Sequence, residues 1–422
     1  MPLLKIVHAA DIHLDSPLRG LSRYEGAPAE RVRGATRRAL ENLVDLCLSE
    51  GVSLLLLAGD LYDGNWKDYS TGLYFASQMS RLRAGGTRVF LVRGNHDAQS
   101  EITRHLRWPE HVRDLTVREP ETVVLEDVGV AVHGQGFATK SVTDDLAAGF
   151  PMRVEGAFNI GLLHTSLTGR EGHADYAPCR LETLRSRGYD YWALGHVHAR
   201  EVVSQAPWVV FPGNLQGRHA RETGPKGATL LTVDAGRVTA VEHRTLDVVR
   251  WAHCRVDVGA AADAAEAVDL VRGALEEAGE AAEGRALAAR ITLEGATHAH
   301  GALHAGEERL LNEVRLVATD VGADAWVERL VVRTRGMADA AELAEQADAV
   351  GELVRSLRAI GDDPAALGAL GEALAELSMK LPPILREGDD ALGLDDPARI
   401  AAALGEVEAM ILPRLLDQED EP

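Results

Sequence analysis

The chain has 422 residues, of which 46% are hydrophobic and 26% charged. That is a globular composition with room for two or three domains, and it excludes a low-complexity or fibrous chain. The net charge of −21 is uneven: residues 1–250 carry 29 Lys+Arg against 30 Asp+Glu and the rest 15 against 35, so the first part stays open to an anionic substrate.

Residues 3–9 read as a first strand that runs into Asp11-Ile12-His13. Residues 29–50 have helical spacing, with Leu40, Leu43, Val44 and Leu48 on one side. The other side carries Arg31, Arg33, Arg37 and Arg38, read as a solvated face sooner than a phosphate contact. Residues 52–58 lack polar alternation, which predicts a strand buried on both faces, and they end in Gly59-Asp60. Residues 69–83 read as a helix and 87–92 as a third strand, followed by Gly94-Asn95-His96-Asp97. Alone, that tetrapeptide is a polar turn at a strand end. Further on, 122–125 and 129–133 read as a hairpin-like pair. Strands are also predicted at 158–164, 189–194, 202–203, 209–211 and 228–233. A mixed sheet sandwich with helices outside accommodates this pattern.

From residue 250 the rhythm changes to strand (250–258), Ala-rich helix (261–278), strand (290–293), helix (307–317) and strand (326–332), a small α/β domain. Beyond Arg335-Gly336 every apolar stripe is helical: Leu343/Val350/Leu357, Leu367/Leu370/Leu374, then Ile400/Leu404/Val407/Ile411, with Pro382-Pro383 between the last two. No apolar run reaches membrane-spanning length and no secretory h-region follows Met1, so a cytoplasmic protein is expected. Cys47, Cys179 and Cys254 are scattered, form no zinc motif and suit a reducing compartment.

Five predicted strands end in Asp, His or Asn, and in α/β sheets the carboxyl ends of strands are where ligands bind. The order Asp11-x-His13, Gly59-Asp60, Gly94-Asn95-His96-Asp97, His164 and Gly195-His196-x-His198 resembles the calcineurin-like metallophosphoesterases. It most resembles the SbcD-type nuclease subunit of ATPase–nuclease DNA repair complexes. Residues 11–17 and 217–227 resemble the YhaO-type branch of that group. The resemblance covers roughly residues 1–245.

It implies a four-layer αββα sandwich over 1–247; the pattern beyond adds a small α/β cap over 248–336 and an acidic helical region over 337–422, which in SbcD-like nucleases docks the ATPase. The resemblance places Asp11, His13 and His198 on one divalent ion and Asn95, His164 and His196 on another, with Asp60 bridging. His196 and His198 are two apart, so both bind only if Gly195 opens a turn, because a strand would point them to opposite faces. His96 is left to protonate the leaving oxygen, with Asp97 orienting it. Mixed carboxylate, amide and imidazole donors suit Mn²⁺, or Fe²⁺, better than Mg²⁺.

The implied chemistry is phosphodiester hydrolysis by a hydroxide shared between two ions about 3.5–4 Å apart. Arg218, His219, Arg221 and Lys226 are candidates for holding a DNA backbone. Asp15 reads as a turn residue, and Asp63 has no clear part to play. His8, His105, His111, His133, His173, His243 and His253 read as structural or exposed, and His298, His300 and His304 as a solvated loop.

The function expected is a two-metal DNA exonuclease in DNA repair. Its partners would be DNA and an SMC-like coiled-coil ATPase, with no membrane, and a homodimer is a further option. The alternatives are a binuclear phosphoesterase for nucleotides or phosphoproteins and a catalytically weak scaffold subunit.

Overall fold

A computed structural model gives the structure of the chain, and it describes residues 3–16, 34–63, 69–99, 108–167, 176–321, 324–337, 340–345, 347–381, 393–394 and 396–416. Residues 29–33 of the first predicted helix, His105, His173 and Pro382-Pro383 lie outside the described residues. The chain divides into two compact units, residues 1–253 with 282–288, and residues 254–281 with 289–422.

The first unit is built on two six-stranded sheets. One contains β1 (Leu4–Ala9), β2 (Leu54–Ala58), β3 (Arg88–Val92) and β4 (Val112–Asp114), extended past β1 by strands formed later in the chain. The helices α1 (Ala35–Glu50) and α2 (Tyr69–Leu82) connect β1 to β2 and β2 to β3. The other sheet has β5 (Glu121–Leu125), β6 (Val130–Gln135), β7 (Phe158–His164), α3 (Leu181–Ser186) before β8 (Tyr191–Gly195), then β9 (Glu201–Gln205) and β10 (Trp208–Phe211). The chain returns to the first sheet as β11 (Gly227–Asp234) and β12 (Arg237–Thr245).

Side-chain alternation along the central strands builds the layers. In β2, Leu55 and Leu57 pack with Leu40, Leu43 and Val44 of α1, while Leu54 and Leu56 pack with Val132, Ile160 and Leu162 of the second sheet. The far face of the second sheet packs Leu163, Trp192 and Leu194 on Leu184 of α3 and on Phe150. Strands buried on both faces need no polar positions, which is why their sequence is unbroken apolar. Burying each such leucine contributes about 1.5–3 kcal/mol.

Within the second sheet Gly161 stands opposite Trp192, and a Cβ there would lie 2.2 Å from the indole. Gly161→Ala is therefore expected to lower stability by about 1–3 kcal/mol through overpacking. Urea unfolding of the two proteins side by side reads it, and an unchanged midpoint would mean that Trp192 swings aside freely.

Sequence patterning missed β4, β12 and α3. The first and last are only three and six residues long, and β12 has no fully buried residue, so none has an apolar run to detect. Arg37, read as a solvated helix residue, grips both carboxylate oxygens of Asp15 at 2.6 Å and ties α1 to the loop after β1. Thr71 of α2 donates to the same carboxylate.

The second unit takes in most of a three-stranded sheet of β13 (Val249–Asp257), β14 (Ala286–Ala296) and β15 (Ala325–Arg335). Its helices α4 (Ala264–Ala281) and α6 (Glu307–Val321) pack against each other. The expected solvated loop at His298–His304 is instead partly α5 (His300–Ala305). His300 is buried there, its Nδ1 2.9 Å from the Thr334 hydroxyl, because the helix lies against β15. Then follow α7 (Ala340–Glu345), α8 (Ala349–Asp362), α9 (Pro364–Lys380) and α10 (Pro397–Leu416). These pack on one another, and α10 also packs on α5. Leu343, Val350, Val354, Leu367 and Ile400 are buried by that packing, whereas Ile360, Leu377 and Met379 remain exposed.

Candidate metal centre

Parallel strands β1, β2 and β3 stand side by side, as do β7 and β8 in the facing sheet, and their carboxyl ends carry the polar clusters. The contact there leaves no space for side chains at two points. A Cβ on Gly94 would lie 2.2 Å from Asp60 Oδ1, and one on Gly195 would lie 1.8 Å from the Ala58 carbonyl oxygen. Glycine at the turn is thus what lets Asp60 and the His196 loop approach. β8 ends at Gly195, and His196 takes φ 101°, so the turn that separates His196 from His198 begins there. Asp11, His13 and Asp60 also have positive φ, an arrangement costing about 1–3 kcal/mol per residue and typical of functional sites.

The seven proposed ligands converge. Asp11, His13 and His198 bring donor atoms within 4.8 Å of one another, and so do Asp60, His164 and His196. Asp60 Oδ2 lies 3.9 Å from His13 Nε2 and 3.6 Å from His164 Nε2, between the two sets. Asn95 Oδ1 is 3.0 Å from His164 Nε2. A third combination, His13, Asp60 and His96, also has metal-holding spacing.

The chemistry of this donor set fits cations. The ring nitrogens His13 Nε2 and His198 Nε2 face each other at 3.3 Å. His164 gives its Nδ1–H to the Ala58 carbonyl at 2.9 Å, which leaves the Nε2 lone pair facing the oxygens of Asn95 and Asp60. Lone pairs crowd together in this way where a positive ion belongs between them. Asp11 and Asp60 are both fully buried, and burial together with the Asp60 charge pushes the Asp11 carboxyl well above its usual range. Burial lowers His13 to about 3, which keeps it in the neutral form that binds metals.

The assignment of Asp97 as the partner of His96 needs correction. Asp97 accepts hydrogen bonds from the backbone N–H groups of Leu61, Tyr62 and Gly94, at 2.9, 3.1 and 2.9 Å, and pins the two strand-end loops together. The carboxylate beside His96 Nδ1 is that of Asp63, at 3.2 Å, which also accepts from the Ser16 hydroxyl at 2.9 Å. Burial works to lower His96, but the Asp63 and Asp60 carboxylates outweigh it and raise its pKa. The missed signal was local: Asp63 follows Asp60 by one tight turn, so it rises from the same strand end.

The four candidate DNA contacts divide. Arg221 is exposed and His219 half-buried. Arg218 sits inside the site, Nη1 3.6 Å from Asp63 Oδ1 and 3.4 Å from Ser16 Oγ, and its buried Nε has no hydrogen-bond partner. Lys226 is turned inward, against its expected role. It is 7% exposed and donates to the His198 carbonyl at 3.0 Å. Glu222, which sequence reasoning passed over, is buried with Oε1 2.6 Å from His198 Nδ1. Among the other histidines, His8 is held by Tyr191 and Leu194, and His133 by Thr122 and Asn159, as structural residues.

A calcineurin-like phosphoesterase model matches residues 4–200, and a model of the middle domain of the metallophosphoesterase YhaO matches 251–335. Residues 4–200 thus form a calcineurin-like metallophosphoesterase domain. The middle-domain match and the relatives below support a likeness to the YhaO-like part of the SbcD/Mre11 branch. The chain is 36% identical over 259 residues to the uncharacterized metallophosphoesterase YhaO of Bacillus subtilis, covering 60% of this chain and 63% of that one. It is 25% identical over 236 residues to the DNA double-strand break repair protein Mre11 of Methanopyrus kandleri, covering 50% and 48%. It is 35% identical over 117 residues to one component of the nuclease SbcCD of Rhodobacter capsulatus, covering 27% and 26%. The chain therefore spans less than two thirds of the length of each of these relatives.

Proposed function

We propose that this chain is a two-metal-dependent DNA nuclease of DNA repair. The observation that carries the reading is the pair of donor clusters on either side of Asp60 with His96 beside them. Asp11, His13 and His198 would hold one divalent ion, and Asn95, His164 and His196 the other, with Asp60 between them. Mn²⁺ suits these donors best and Fe²⁺ next. Bound ions neutralise the phosphodiester and supply an ionised water at neutral pH. The chain's own residues do the rest. Asp63 holds His96 through Nδ1, so that Nε2 is presented to the leaving oxygen. The Arg218 guanidinium, beside Asp63 and Ser16 in the site, would meet a phosphate oxygen, a contact without sequence preference. DNA as substrate draws support from the names of the Mre11 and SbcCD relatives.

The test uses labelled single- and double-stranded DNA beside an aryl phosphodiester and a cyclic nucleotide, each with Mn²⁺ and with EDTA. Metal-dependent cleavage of DNA supports the reading. Turnover of the cyclic nucleotide with DNA left intact would make the chain a nucleotide phosphoesterase instead.

The wider proposal keeps three domains, 1–247, 248–336 and 337–422, in a cytoplasmic protein, and gives the last to a coiled-coil ATPase partner. Residues 251–422 carry a net −20, which would select a basic surface and repel DNA. Apolar residues left exposed there, Ile360 of α8 and Leu377 and Met379 of α9, would contact the partner. Leu377→Asp combined with Met379→Lys is expected to abolish co-purification with that partner while two bound ions and DNA cleavage remain. Unchanged co-purification would place the partner elsewhere.

A further inference from the structure

We infer that Glu222 is a positioning residue that selectively strengthens one of the two ion positions by acting through His198. This deepens the proposed function and rests on its ligand assignment. The two ion positions differ in their oxygen ligand, Asp11 against Asn95, and in what stands behind their histidines; His13 Nδ1 has the Asp63 carboxylate only at 3.7 Å. His164 is backed by a neutral carbonyl, that of Ala58, at 2.9 Å. His198 is backed by a carboxylate, Glu222 Oε1, at 2.6 Å from Nδ1. A carboxylate behind an imidazole fixes the tautomer, turns the ring and makes the opposite nitrogen a stronger donor. Here the opposite nitrogen is Nε2, the atom that faces His13 Nε2 at 3.3 Å.

Glu222 is itself held in place. Its other oxygen, Oε2, accepts from Asn214 Nδ2 at 2.8 Å and from the Arg218 backbone N–H at 2.6 Å. Asn214 in turn pairs through its backbone with Ala10, the residue before Asp11. The carboxylate thus joins His198 to the strand end that carries Asp11. Both belong to one ion position and neither to the other. A buried carboxylate with four polar neighbours, His198, Asn214, Arg218 and His219, is also a costly arrangement to keep for loop structure alone.

The experiment titrates the whole chain with Mn²⁺, reading stoichiometry by calorimetry and ion pairing by electron paramagnetic resonance. Wild type should take up two ions that give an exchange-coupled spectrum. Glu222→Ala should weaken one position about 10–100-fold and leave the other unchanged, so that isolated Mn²⁺ appears at intermediate loading. Glu222→Gln keeps the shape and a carbonyl acceptor for Nδ1–H but no charge, and should fall between the two. The thermal unfolding temperature of the metal-free Gln variant should fall only slightly, because its N–H₂ group then faces the Asn214 and Arg218 donors.

Equal weakening of both positions, or none in either variant, overturns the inference. So does a loss of metal-free stability in the Gln variant as large as its loss of affinity, since Glu222 would then serve the loop and not the ion. DNA cleavage is not read, so failure of the nuclease reading leaves this result standing. Uptake of fewer than two ions by wild type would overturn both together.

Discussion

Asp60→Asn is expected to abolish turnover and weaken both ion positions together. Asp60 is buried between the two donor sets, with Oδ2 reaching toward His13 on one side and His164 on the other. Its Oδ1 accepts the His96 backbone N–H at 2.9 Å. Asparagine is nearly the same shape, so the loops should keep their path, but it offers one oxygen instead of two and no charge. Two ions sharing a neutral amide repel each other without the anion that offsets them. Metal analysis after gel filtration should therefore show both ions falling in parallel, with the rate on an aryl phosphodiester falling below detection. Two retained ions with an ordinary rate would show that Asp60 does not bridge. Loss of a single ion would assign it to one position only.

How much of this was legible in the sequence depends on the reach of each interaction. The strand-end cluster of candidate ligands was legible because each follows an apolar run within a few residues, as Asp11 follows β1 and Asn95 follows β3. The glycines at 94 and 195 were legible as turn residues, although the reason for them, contact with another strand end, was not. Partnerships between loops could not be read. His96 lies next to Asp97 in sequence and next to Asp63 in space, because the Gly94 turn directs the Asp97 carboxylate back under the backbone. Likewise Lys226 was read as a DNA contact and Glu222 was given no role, and only the return of the chain from β10 to β11 brings them onto His198. The C-terminal stripes announced helices correctly, but a stripe does not say whether its partner is the same chain, and Val350 and Ile400 are buried within it.

The exchange of Asp63 for Asp97 gives the sharpest test of the chemistry. His96→Ala is expected to lower kcat by about 10²–10⁴-fold, the usual cost of losing a general acid. Asp63→Asn should give a smaller loss, because it removes the group that orients His96 and raises its pKa, not the proton donor itself. The double variant should be little slower than His96→Ala alone, since Asp63 then keeps only its longer contacts with His13 Nδ1, at 3.7 Å, and Arg218, at 3.6 Å. Asp97→Asn should behave differently: its carboxylate binds three backbone N–H groups, so stability should fall more than kcat. All of this presumes that both ions stay in place. His96 does stand close enough to His13 and Asp60 to complete a third donor set. Metal content therefore decides between a proton donor and a ligand. Two ions per chain in His96→Ala, with the rate collapsed, make it the acid. One ion per chain makes it a ligand, and the additive losses then expected in the double variant would leave the proton to another group.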